Sequence, residues 1–239
     1  MILDRNLAEK HRMLVITGIA GGLGSYLART FAAEMPVVGT YHRSRPDFDP
    51  PLTGLYPVDV TSADSVAAFV EAARPHLSRI VLVNLAGVSL DGMGHKLAEA
   101  TWDTVLDTNL KGTFLMCRAL LPLMRAERWG RIVTVSSIVG QTGIPGTAAY
   151  ASSKAGLFGL TRTLAAENAR EGITANCLAL GYFNAGMIQV IRPDLQDAIR
   201  EKIPMRRFGE PEELAQALRF VIDCGYLTGS TISINGGLA

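Results

Sequence analysis

Seven short runs of consecutive apolar, largely β-branched residues punctuate the chain at 14–17, 37–40, 55–58, 80–84, 132–136, 174–178 and 231–234, and longer segments of helical period lie between them. The runs are continuously apolar rather than alternating, so they predict strands covered on both faces. That is the mark of a parallel sheet between two helix layers. The fold class predicted is therefore α/β, a doubly wound Rossmann parallel sheet of seven strands with helices on both faces. Helices are expected over 25–34, 63–73, 113–127, 150–170 and 194–202. Thr61, Ser62 and Asp64 supply N-terminal caps to the second of these, and Glu210, Pro211, Glu212 and Glu213 open another. The proline-rich, charged stretch 43–51 reads as a loop, and the weakly patterned stretch 181–209 as a flap over a site. One domain over 1–239 is expected, with 1–12 as an N-terminal extension.

Composition narrows the function classes. The chain of 239 residues is 48% hydrophobic with a formal net charge of +1, which gives no basic field for nucleic acid or an anionic membrane. No apolar run is long enough to span a bilayer, and the charged start does not resemble a signal peptide. The three cysteines, Cys117, Cys177 and Cys224, are far apart and form neither a disulfide framework nor a metal cluster. A reducing cytoplasm fits this usage.

Candidate chemistry starts after the first strand, where Thr17-Gly18-Ile19-Ala20-Gly21-Gly22-Leu23-Gly24 precedes a helix. Glycines there let the backbone approach a pyrophosphate, and the helix N-terminus offers unpaired amides to that anion. Gly18, Gly22, Leu23 and Gly24 are the candidate contacts. An NAD site usually carries an acid at the end of the second strand; this chain has Tyr41-His42-Arg43-Ser44. A guanidinium at Arg43, aided by His42 and Ser44, suits a ribose 2′-phosphate, so NADP(H) is favoured over NAD(H).

Tyr150 and Lys154 are four apart at the start of a predicted helix and so share a face. An ammonium beside the phenol would favour its ionised form; bringing a phenol from about 10 to near 7 needs about 4 kcal/mol. Tyr150 could then exchange a proton with a substrate oxygen while hydride moves at carbon. Ser136 and Ser137 end the fifth strand, where a hydroxyl could orient the carbonyl.

With these motifs in order, the chain resembles the short-chain dehydrogenase/reductase family over nearly its whole length, within the compact branch that includes the 3-oxoacyl-carrier-protein reductases. The resemblance rests on the glycine turn, on Asn84-Leu85-Ala86-Gly87, on Asn109, on Ser137 thirteen residues before Tyr150, and on the Tyr150/Lys154 pair. It implies a catalytic tetrad of Asn109, Ser137, Tyr150 and Lys154. In that tetrad the serine polarises the carbonyl, the tyrosine protonates it, the lysine binds the nicotinamide ribose and the asparagine holds a relay water. It implies further cofactor contacts at Asp59, Val60, Asn84, Ala86, Gly87 and Gly181, and a homotetramer assembled through the helices near 113–127 and 151–170 and the last strand.

Four departures stand out. Leu85 replaces a second asparagine. Leu180-Gly181 and Ala185 replace the family's Pro-Gly and a cofactor-contacting threonine. Gly21 stands where NADP-preferring relatives often carry a basic residue. Arg128 matches one arginine of a carrier-protein docking pair near the entrance, but Glu171, beside Arg170, replaces the other. The loop after Gly87, the segment 141–147 and the flap mix apolar residues with few charges, which suggests a mainly apolar or neutral carbonyl substrate, an acyl thioester free or carrier-bound, over a polyanion. Three readings stand at this point: an NADPH-dependent ketoreductase, an NAD-dependent secondary-alcohol dehydrogenase, and a dinucleotide-binding regulatory protein without turnover.

Overall fold

In the computed structural model, which describes residues 12–49 and 51–239, all seven expected strands form one sheet. The strands are β1 (Met13–Thr17), β2 (Val37–Tyr41), β3 (Gly54–Pro57), β4 (Ile80–Asn84), β5 (Gly130–Ser137), β6 (Ile173–Leu180) and β7 (Thr231–Ile234). Every pairing is parallel, in the order β3-β2-β1-β4-β5-β6-β7. The order reverses between β1 and β4, so a crevice opens at their carboxyl ends, the place where such sheets gather ligands. The expected N-terminal extension lies outside the described residues except for Arg12.

The helices are α1 (Gly22–Ala32), α2 (Ala63–Ala73), α3 (Glu99–Leu106), α4 (Gly112–Ala126), α5 (Ala148–Asn168), α6 (Pro193–Lys202) and α7 (Pro211–Asp223). Strand residues alternate between two cores although both faces are buried. In β4, Ile80 and Leu82 pack toward α2, α4 and α5, whereas Val81 and Val83 pack toward α1 and α7. Burying both faces is what makes the strand sequences read as unbroken apolar runs.

Caps form where the sequence places them. Ser62 accepts from the Ser65 amide at the start of α2, and Glu210 with Glu213 closes a capping box on α7 beside Pro211. Most boundaries fall within two residues of expectation, but one start lies further off and one helix is unexpected. Helix α1 begins at Gly22, three residues before Ser25, because the last two glycines of the turn already take helical geometry. Helix α3 buries only Val105, too little to give a periodic signal, and it runs into a π turn, Asp107–Lys111, that carries Asn109.

The stretch 181–209 is tied at its base. The Asn184 amide donates to the Gly209 carbonyl at 2.8 Å and the Gly209 amide to the Tyr182 carbonyl at 2.9 Å. Ile188, Ile203 and Phe208 form a small core of its own. Leu180, standing where the family has proline, continues the β6 ladder opposite Ile234, and the Gly181 amide donates to the Ile234 carbonyl at 2.8 Å. A proline at 180 would fix φ, whereas here the ladder itself fixes the chain's exit.

Candidate active site

The glycine turn is close-packed rather than merely flexible. Gly18 has φ +72°, and a Cβ there would stand 2.7 Å from the Ala86 Cα, so only glycine lets the β1 and β4 turns touch. A Cβ on Gly24 would stand 2.6 Å from the Gly18 carbonyl oxygen, and one on Gly22 2.6 Å from the Gly186 amide nitrogen in the flap. Leu23 packs partly buried against the α1/α7 core. Helix α1 has no side-chain cap and no acid in its first turn, so nothing anionic on the helix competes for its amino end.

Thr17 knits the two turns together, its hydroxyl accepting from the Leu85 and Ala86 amides at 3.0 Å each. Thr17→Val would leave both donors unpaired at a buried position and lower stability by about 1–3 kcal/mol. Thermal denaturation reads this directly, and an unchanged midpoint would deny Thr17 this role. Asn84 is buried at the end of β4, donating to the Cys117 sulfur at 3.4 Å, with its Oδ1 unpaired.

Asn109 is fully buried, and its side chain works as a clasp. Its Oδ1 accepts from the Val88 amide at 2.8 Å, and its Nδ2 donates to the Val88 carbonyl at 2.9 Å and to the Ser153 hydroxyl at 3.0 Å. Ser153 in turn donates to the Tyr150 carbonyl at 2.8 Å. The π turn thus ties the loop after Gly87 to the first turn of α5. A Cβ on Gly87 would lie 3.1 Å from the Asn109 Oδ1 and 3.6 Å from the Lys154 Nζ, which places Gly87, Asn109 and Lys154 around one space.

Ser137, Tyr150 and Lys154 meet at the carboxyl end of β5. The Ser137 side chain stands close enough to the Tyr150 phenol to act on its titration, favouring ionisation, and its hydroxyl accepts from the Val139 amide at 3.2 Å. Lys154 Nζ lies 5.6 Å from the Tyr150 ring centroid and donates to the Val135 carbonyl at 2.9 Å. The Ser136 hydroxyl, the alternative to Ser137, is spent on the Lys154 carbonyl at 2.8 Å.

The electrostatics correct one expectation. Spacing alone predicts that the ammonium lowers the phenol's pKa; instead burial pushes Tyr150 up to about 12, with Ser137 opposing and Asp91 adding to the rise. Burial also pulls Lys154 down to about 8. The reason is common to both groups: each loses water, which disfavours the charged form, and the ammonium faces the Val135 carbonyl beneath the ring.

At the carboxyl end of β2, Tyr41 closes the strand, and His42, Arg43 and Ser44 are exposed just beyond it. Asp59 accepts from the Thr61 hydroxyl at 2.7 Å and amide at 2.9 Å, which hold its carboxyl below the usual range; His42 and Arg43 add to that lowering. Arg43 forms no ion pair with a described residue. Val60 packs in the core beside Gly112, where a Cβ would stand 2.8 Å from it.

Two of the positions expected from the sequence are not brought to this cluster. Gly181 packs against Asn235, 2.7 Å from where its Cβ would be, so its lack of a side chain serves the β6/β7 exit. Arg128 precedes β5 and Glu171 precedes β6, at the sheet's amino edge opposite the cluster, and the two are ion-paired at 3.1 Å. The expectation that Arg128 stands near this chain's entrance is therefore corrected. Conversely, Asp91 and Tyr182 are near Tyr150 without any motif to flag them; only the packing of two loops reveals it.

A glycine turn at the switch point of a doubly wound sheet, with a serine, a tyrosine and a lysine converging beside it, defines the class of dinucleotide-dependent α/β oxidoreductases. Comparison with known proteins makes this specific. A family model described as Enoyl-(Acyl carrier protein) reductase matches residues 18–239. Nodulation protein G of Rhizobium sp. (strain N33) is 37% identical over 238 residues, 95% of this chain and 97% of its own length. The 3-oxoacyl-(acyl-carrier-protein) reductase FabG of Thermotoga maritima is 36% identical, over 95% of this chain and 97% of its own. The acetoacetyl-CoA reductase of Shinella zoogloeoides is 37% identical, over 95% and 98%. This chain belongs to the short-chain dehydrogenase/reductase family, and is an NAD(P)-dependent oxidoreductase acting on carbonyl or CH–OH groups.

Proposed function

We propose that this chain reduces the keto group of a 3-oxoacyl thioester or a related neutral ketone with NADPH, Tyr150 donating the proton. The observation that carries the reading is the convergence of Ser137, Tyr150 and Lys154 at the carboxyl end of β5, where burial pushes the phenol's pKa up to about 12 and so holds it neutral. A neutral phenol is the form a reduction consumes. An alkoxide is a far stronger base than a phenolate, so the transfer runs downhill. Alcohol oxidation would begin from the phenolate, which at pH 7 is about 7 kcal/mol away for a pKa near 12, so the environment disfavours the alcohol-dehydrogenase reading. The names of the Thermotoga and Shinella relatives, reductases of 3-oxoacyl and acetoacetyl thioesters, point the same way.

The residues present fit a dinucleotide. Gly18, Gly22, Leu23 and Gly24 would cradle its pyrophosphate at an amino end of α1 whose first turn carries no acid. Asp59 and Val60 would border the adenine, and Asn84, Ala86 and Gly87 would line the remainder, without the expected contribution of Gly181. When bound, the nicotinamide supplies the hydride. Lys154 would hold the adjoining ribose through the ammonium protons that Val135 leaves free. Ser137 would orient the keto oxygen toward Tyr150, and Asn109 would keep the loop after Gly87 in register with α5 while its backbone holds a relay water.

Tyr41, His42, Arg43 and Ser44 would surround the adenosine ribose, where the Arg43 guanidinium favours a 2′-phosphate. Arg43→Ala should therefore lower the preference for NADPH over NADH by about tenfold, the weight of one charge-assisted contact. An unchanged ratio of the two kcat/KM values would place the 2′-phosphate elsewhere.

Residues 1–239 form one functional unit in this reading, with 181–209 as the flap and self-association into a homotetramer through α4, α5 and β7, which light scattering would measure. The Arg128–Glu171 pairing removes support for a carrier-protein docking patch at that point. The deciding experiment is a panel of neutral 3-keto esters and thioesters followed by loss of NADPH absorbance. Turnover supports the reading, and binding without turnover of any ketone would leave the chain a nucleotide-binding protein.

A further inference from the structure

The loop after Gly87 carries an unpaired carboxylate to the mouth of the site. The loop is pinned at two points: Val88 by the Asn109 side-chain amide, and Gly92 by its backbone amide, which donates to the Gly146 carbonyl at 2.8 Å beside a bridge to Thr147. Thr147 leads directly into α5, whose third residue is Tyr150. Asp91 lies between the two pins. Its Oδ1 accepts from the Ser89 hydroxyl at 2.9 Å, which fixes the side chain, and no cation among the described residues pairs with it. Its charge reaches both the Tyr150 phenol and the half-buried Tyr182 phenol at the base of the flap, raising each. The opposing charge, Lys154, is buried and turned to the Val135 carbonyl. The mouth is therefore negative and the floor positive. Leu90 and Met93, on either side of Asp91, leave exposed apolar surface, and His95 and Lys96 further along the loop form no ion pair with it among the described residues.

We infer that Asp91 is a specificity-determining residue that disfavours substrates with a free carboxylate beside the keto group, so that 3-oxoacyl groups are accepted when the carboxyl is masked as a thioester or ester. The inference rests on the reductase reading above. A free 3-oxo acid must bring its carboxylate within two carbons of the carbonyl that Ser137 and Tyr150 engage, and so into the field of Asp91. Two like charges about 8 Å apart, at an effective dielectric between about 20, the value near a protein surface, and about 40, toward that of water, repel enough to weaken binding about five- to thirtyfold. A neutral thioester meets only the weaker charge–dipole interaction. Discrimination of this kind works by repelling the wrong ligand, without requiring a new contact to the right one.

The test compares acetoacetate with ethyl acetoacetate, which share the reacting ketone and differ in that charge, using the full chain and NADPH. Asp91→Asn keeps an oxygen for the Ser89 bond and removes the charge. The ratio of kcat/KM for acetoacetate to that for ethyl acetoacetate should rise at least about fivefold in the variant, through KM. The gain should shrink in high salt, because an exposed charge is screened. A ratio that does not move while ethyl acetoacetate is still turned over overturns this inference and leaves the reductase reading intact. Failure of the unaltered chain to reduce ethyl acetoacetate, or any neutral ketone of the panel, overturns both.

Discussion

Tyr150→Phe should lower ketone reduction by about 10³-fold, since general-acid catalysis is worth about 10²–10⁴, while leaving nucleotide affinity within about twofold of its original value. The loss follows from what the phenol touches. It stands at the sheet's carboxyl end beside Ser137, with the lysine ammonium 5.6 Å from its ring centroid. Phenylalanine keeps the ring's packing on α5 and removes only the oxygen, so fold and nucleotide cleft persist. The comparison of kcat with nucleotide Kd, measured by fluorescence titration, separates a lost proton donor from a lost fold. A variant that keeps a tenth of the original rate would mean that water or another residue supplies the proton.

Lys154→Met should also abolish turnover, and it carries a second signature in stability. The folded chain pulls Lys154 from its ordinary 10.5 down to about 8, because burial disfavours the ammonium. The folded pKa lies below the unfolded one, so between the two values the unfolded chain binds more protons, and this group's contribution to stability rises with pH across that window. Below about pH 8 the buried charge costs about 3 kcal/mol relative to pH above 10.5. Lys154→Met should erase this slope, flattening stability between about pH 8 and 10.5 as read by chemical denaturation, even though the Val135 carbonyl loses its donor. The same titration should appear in activity, with kcat/KM for reduction falling as pH rises past about 8, since that parameter reports the free enzyme. An unchanged slope in the variant would show that Lys154 is solvated in the folded chain.

The strands are legible in the sequence because both of their faces are buried. Val81 and Leu82 face different cores, yet neither side requires a polar residue, so the run reads as unbroken. Caps are legible for a local reason: Ser62 and Glu210 act within three residues of themselves. Helix α3 is not, since a single buried valine leaves no period to detect. With the family resemblance selecting Ser137 over Ser136, the gathering of Tyr150 and Lys154 with a serine at the end of β5 follows from spacing and strand position. The direction of the phenol's pKa does not, because it depends on how deeply the ring sits, and depth is a property of the packed whole. Long-range pairing hides two further facts. Glu171 neutralises Arg128 from 43 residues away, and Asp91 reaches Tyr150 only because Gly92 is stitched to the turn before α5.

The measurement closest to the central claim follows the hydride itself. The chain is incubated with ethyl acetoacetate and NADPH deuterated at the transferable position, and the alcohol is analysed by mass spectrometry. One deuterium is expected on the carbinol carbon of the product, and about 10³-fold less of that product over the same time when Tyr150 is replaced by Phe. An alcohol formed without deuterium, or equal yields from both proteins, would contradict hydride transfer assisted by Tyr150.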